Sequence, residues 1–146
     1  MDIQGTEIIS APREKVWEFV TDAESVASCT PGVKSVRILE PGKRFEVVGG
    51  IKLGTVGLNA KNVIEFTDLV DLEEARMKIR GRGPGTTIDA VAELRLRDED
   101  SGTALDWKGT VQVRGTLAAL ASRLLKPVTE KVLREMFAEM RSKIEA

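Results

Sequence analysis

The sequence predicts an α+β domain in which a bent antiparallel sheet of about seven strands wraps one long C-terminal helix. Three observations carry this. Residues 116 to 146 repeat apolar side chains every three or four positions, the helical period. From Val33 to Arg114 the period drops to two, with apolar residues on one side and charges on the other. An alternating pattern of that kind belongs to a sheet covered on one face only. Glycines at 49, 50, 54 and 57, in or beside strands, permit sharp bending.

In chain order, Ile3 to Ser10 forms a first strand, with Ile3, Gly5, Glu7 and Ile9 on one side. Pro12, with φ already set, is placed as the first residue of a short helix whose apolar side is Val16, Trp17, Phe19 and Val20. Asp22 is positioned to cap a second short helix, Ala23 to Cys29, which Pro31-Gly32 ends. The strands then follow: Val33 to Glu40, a turn at Pro41-Gly42-Lys43, Arg44 to Leu53, Val56 to Leu69, Glu73 to Gly81, Thr87 to Arg97 and Thr103 to Arg114. Gly81 to Gly85 reads as a loop and a flexible pocket rim. It lacks the Lys-Ser/Thr of a phosphate cradle and leads into a strand. Asp98 to Gly102 reads as a polar hairpin turn.

The final helix carries Leu117, Leu120, Leu124, Val128, Val132, Met136 and Met140, flanked by Leu125, Leu133, Phe137 and Ile144. Thr116 is its expected cap, and Pro127 should kink it near Arg123 by removing one backbone donor. The segment before Pro127 is then a candidate movable wall.

Composition narrows the function. At 146 residues the chain is one domain, residues 1–146, with no repeat or linker to mark a second. A net charge of −1 gives no electrostatic case for nucleic acid or an anionic membrane. The single cysteine, Cys29, excludes an intrachain disulfide and favours a cytoplasmic setting. No stretch is apolar enough to span a bilayer. There is no histidine and no tyrosine, which removes the usual general base and the commonest transition-metal ligand. The chain therefore reads as a non-enzyme with no cofactor.

The inward residues define a candidate site. Aromatic residues are only 4% of the chain and several inward positions are small, which leaves two readings of the space under the helix: a flatter sheet with Leu120, Leu124 and Phe137 filling it, or a gap that side chains do not fill at normal density. The second gives an apolar pocket lined by Val47, Leu58, Asn62, Met77, Ile79, Ala92, Leu94, Trp107 and Val111 from the sheet and by Leu120, Leu124 and Val128 from the helix. Leu58, Met77, Leu94, Trp107, Leu120 and Leu124 are the predicted anchors. Asn62, the one neutral polar residue inward on its strand, needs a backbone, water or ligand partner. Cys29 is placed as a small hydrophobe or a pocket-lining residue.

Two segments carry a family resemblance: Ser10-Ala11-Pro12-Arg13-Glu14-Lys15-Val16-Trp17-Glu18-Phe19 and Cys29-Thr30-Pro31-Gly32-Val33. They resemble the SRPBCC (START-related, helix-grip) superfamily and, within it, the CoxG family, named for the G subunit of carbon monoxide dehydrogenase. Thr30 departs from the aliphatic residue common there. The resemblance implies a helix-grip fold, a hydrophobic ligand cavity, and an accessory role beside a molybdenum-containing CO dehydrogenase-type complex. The implied ligand is lipid or quinone-like. Longer members carry a C-terminal tail, so a chain ending at Ala146 is expected to lack a stable membrane anchor. Two other readings stay open. One is a cyclase or isomerase using the same cavity, for which Glu7 is the only inward ionisable group. The other is a ligand-independent interaction module using Arg76, Lys78, Arg80, Glu93 and Arg95 on the outer face.

Overall fold

The computed structural model describes all residues from Met1 to Ala146. The elements run β1 (Asp2–Ile9), α1 (Arg13–Val20), α2 (Ala23–Cys29), β2 (Val33–Glu40), β3 (Arg44–Leu53), β4 (Val56–Val70), β5 (Glu74–Gly83), β6 (Thr86–Glu99), β7 (Gly102–Gly115) and α3 (Ala118–Ile144). The seven strands form one antiparallel sheet in the order β1-β7-β6-β5-β4-β3-β2. Five consecutive hairpins build β2 to β7, and β1 closes on β7 through pairs such as Gly5↔Trp107 and Ile9↔Thr103. This is the helix-grip arrangement: sheet, terminal helix, and two short helices after the first strand.

Several boundaries differ from the sequence reading. Residues 81 to 83 are not loop: β5 continues to Gly83, Gly81 is buried between Asn62 and Ile88, and only Pro84-Gly85 turns. Alternation through Ala75, Met77 and Ile79 leads directly to Gly81, but the glycines masked it. Likewise β6 reaches Glu99 and β7 starts at Gly102, which leaves a two-residue turn.

The caps also differ. Pro12 is the residue before α1 rather than its first member. Asp22 stands at the N-terminus of α2, but its carboxylate accepts from the Ser25 hydroxyl (2.6 Å) and caps no backbone N–H. Thr116 does not cap α3. The helix starts at Ala118 behind Leu117, while the Thr116 N–H donates to the Gly85 carbonyl across the β5–β6 turn (2.8 Å). Gly115, at φ +98°, is what allows β7 to release into the helix, because a side chain there would meet the Gly85 carbonyl. Pro127 lies inside a helix that continues on both sides of it for a total of 27 residues, about 40 Å.

The core is divided. One cluster joins Ile9, Val16, Val20 and Cys29 to Leu96, Leu105 and the C-terminal half of α3 at Phe137, Met140 and Ile144. A second, around the N-terminal half of α3, holds Leu53, Leu58, Ala121 and Leu125. A third, smaller one is Phe45, Phe66 and Ala75, with the two phenyl rings edge to face at 5.8 Å. The buried line of α3 is thus Ala121, Leu125, Phe137, Met140 and Ile144, with nothing fully buried between Leu125 and Phe137.

Candidate functional site: the space between sheet and terminal helix

The register sets the inner face row by row. Val47 lies opposite Asn62, Asn62 opposite Gly81, Gly81 opposite Ile88 and Ile88 opposite Val113. The next row is Phe45, Ile64, Ile79, Ala90 and Val111, and the one after it runs through Phe66, Met77, Ala92 and Gly109. All twelve predicted site residues belong to this inner side of the sheet or to α3. Only Leu58 among them is fully buried; the other eleven are half-buried.

That partial exposure sits in the middle of what would be the core of a filled domain. Val47, Ile79 and Ala92 belong to none of the three clusters, although they face the helix. The backbone of α3 comes nearest to α2, β3, β1 and β7, while β4 and β6 join it through side chains at the two ends, Leu58 with Ala121 and Leu125, and Leu96 with Phe137. Accessible surface totals 8397 Å², against about 7,400 Å² for a compact monomer of 16.0 kDa. Ile64, Ala90, Ile88 and Val113 share this lining and were not among the predicted residues, although they obey the same two-residue period.

At one end of the space, Trp107 stacks on Phe137 with ring centres 5.8 Å apart and lies against Gly5 of β1. Its Nε1 is buried without a hydrogen-bond partner. Toward the other end, Asn62 has found the backbone: Nδ2 donates to the Val47 carbonyl (3.3 Å) and more weakly to that of Ala60 (3.5 Å). Leu120, Leu124 and Val128 pack on the second cluster, with Leu124 beside the β3–β4 turn, where a Cβ on Gly54 would come within 3.5 Å of its Cδ1.

Other expectations are corrected. Cys29 is buried in the first cluster as a small hydrophobe and lines neither of the two concavities at the β1 side of the sheet. Glu7 does face inward, but Arg141 of α3 holds it in an ion pair at 2.6 Å. Two concavities of about 680 and 580 Å³ lie at the β1 side of the sheet, lined mainly by polar residues that include Gln4, Glu93 and Lys108. Trp107 is the one predicted site residue in either.

The outer face is a lattice of ion pairs. Glu93 receives Lys108 (2.9 Å) and Arg76 (3.0 Å), Arg95 meets Glu74 (3.1 Å), and Arg97 meets Asp106 (2.8 Å). The hydrogen bond from Lys108, with Arg76 close by, holds the Glu93 carboxyl below its ordinary range. Arg97 and the Thr6 hydroxyl do the same for Asp106. Arg80 reaches Asp89 only loosely, at 3.7 Å.

No helix is long and apolar enough to cross a membrane. Comparison with known proteins agrees with this architecture. A conserved protein from Geobacillus kaustophilus superposes with a TM-score of 0.89 at 21% identity, covering 99% of this chain and 95% of its own. A protein from Thermus thermophilus gives 0.71 at 14% identity, with 99% and 97% coverage. The di-domain ARO/CYC BexL from the BE-7585A biosynthetic pathway gives 0.70 at 20% identity, covering all of this chain and half of that one. At these identities the likeness is one of fold. No curated protein matches the sequence. The family model for the G subunit of carbon monoxide dehydrogenase (CoxG) matches residues 5–145, nearly the whole length, and the chain belongs to that family.

Proposed function

We propose that the protein is a non-enzymatic accessory protein that holds an apolar small molecule, lipid or quinone-like, between the sheet and α3. The observation that carries this reading is the half-buried centre of the inner face, where Val47, Ile79, Ala92 and Val111 face a helix and remain accessible. Exposed apolar lining is costly to leave in water. A hydrocarbon that filled the gap would contribute about 0.8 kcal/mol for each methylene it buried, so affinity should rise with chain length. Family membership supports an accessory role beside a CO dehydrogenase-type oxidoreductase. Acid–base chemistry in the same space would need a free inward carboxylate, and Glu7 is engaged by Arg141.

The test is a titration of tryptophan fluorescence with quinones and fatty acids of increasing length. Trp107, at one end of the space, is the reporter; a Trp17→Phe background removes the second emitter. Saturable binding tighter than about 100 µM, improving with length, is expected. Absence of any such binding ends the proposal.

A further inference from the structure

We infer that Asn62 selects ligands carrying a hydroxyl donor, so that an apolar alcohol or a quinol is held in preference to the matching ether or quinone. This rests on the ligand-binding reading above and adds its polar specificity.

The argument starts from the amide's orientation. Nδ2 faces two backbone carbonyls, those of Val47 and Ala60, and only an N–H₂ can serve both. The carboxamide is therefore oriented by its surroundings, and Oδ1 must point the other way. It lies over Gly81 of the neighbouring strand, where any side chain at 81 would collide with it. Gly81 is thus the cradle for this oxygen, on the inner face and beside Ile88 and Val113.

Oδ1 accepts no hydrogen bond from the protein, yet it is not among the buried unpartnered atoms, so it keeps some exposure, and the register places it on the inner face that α3 covers. Other polar side chains of the sheet's inner face are spent. Thr86 donates to the Pro84 carbonyl and Thr103 to that of Ala11, Glu7 is paired with Arg141, and Trp107 Nε1 is covered. What the sheet offers a ligand in the gap is therefore one fixed acceptor. A carbonyl or ether oxygen brought against it gains nothing and loses its water. A hydroxyl forms a bond in a setting where an unmade one is expensive.

The isomers 1-decanol and 1-methoxynonane test this by displacement of a bound fluorescent fatty acid. Both have the same atoms and differ in the donor. Native protein should bind the alcohol about tenfold more tightly, the effect of one hydrogen bond. N62L should bring the two to equal affinity while keeping that for the ether. A second arm compares decylubiquinol with decylubiquinone under anaerobic conditions and separates a phenolic from an aliphatic hydroxyl as the preferred source. The comparison within native protein needs no variant, so poor folding of N62L would not blunt it. Equal affinities for alcohol and ether in native protein overturn the role of Asn62 while leaving apolar binding in place. Failure of every probe to bind overturns the parent reading and this one with it.

Discussion

The indole of Trp107 packs against Gly5 of the neighbouring edge strand: a methyl group built on Gly5 would stand 2.7 Å from Cζ2 and 2.9 Å from Cε2. Trp107 is also stacked on Phe137, which restricts its retreat. Gly5→Ala should therefore overpack the seam between β1, β7 and α3 and destabilise by about 1–3 kcal/mol. A lower denaturant midpoint with unchanged slope, together with an altered tryptophan emission maximum, would be the observed result.

Glu7 and Arg141 join the edge strand to the last turns of α3, with side chains 24% and 34% exposed. Removing either leaves its partner half-buried and unpaired. Glu7→Gln and Arg141→Met should each destabilise, and the double variant by less than their sum, with a coupling of about 0.5–3 kcal/mol. Additive effects in this double-mutant cycle would show that the pair contributes nothing.

The outer-face carboxylates make acid the weak side. Glu93 and Asp106 have folded-state pKa values below their unfolded ones, so the unfolded chain binds more protons as pH falls. Their contribution is present above the unfolded carboxylate range near pH 4 and is lost as pH drops through the lowered folded values. Both groups face solvent, so the loss should be small and weaker in salt. Thermal melts from pH 6 to pH 2, with Glu93→Gln flattening the acid limb, would check this.

Pro127 is exposed within α3 and denies the Arg123 carbonyl its helical donor. Pro127→Ala should restore that bond and raise stability by about 1–3 kcal/mol, with the gain read as a higher Tm. If the N-terminal half of α3 must move to admit a ligand, the same variant should also slow ligand release, measured by stopped-flow displacement.

Much of this molecule was legible in the chain. A two-residue period from Arg44 to Arg114 gave β3 to β7 their inner faces, because side-chain direction in a strand is a local property of the backbone; β2, with its register shifts, does not keep the period. Likewise the apolar spacing from Leu117 to Ile144 predicted α3. Where the reading failed, glycine, proline and caps were involved. Gly81 and Gly83 joined β5 because Asn62 and Asn59 of the next strand require their missing side chains, a demand set by a neighbour more than fifteen residues away. Thr116 lost the cap because its backbone was claimed by Gly85.

The sequence by itself determined which residues look inward, that they are apolar, and that one amide stands among them. Only the tertiary structure decided that the core divides into three clusters with an accessible middle, that Arg141 silences Glu7, and that the Asn62 oxygen is left free over Gly81. The physical reason is one of range. Periodicity follows from the geometry of adjacent peptide units, whereas a gap and an unspent hydrogen-bond acceptor depend on how far apart a helix and a sheet come to rest.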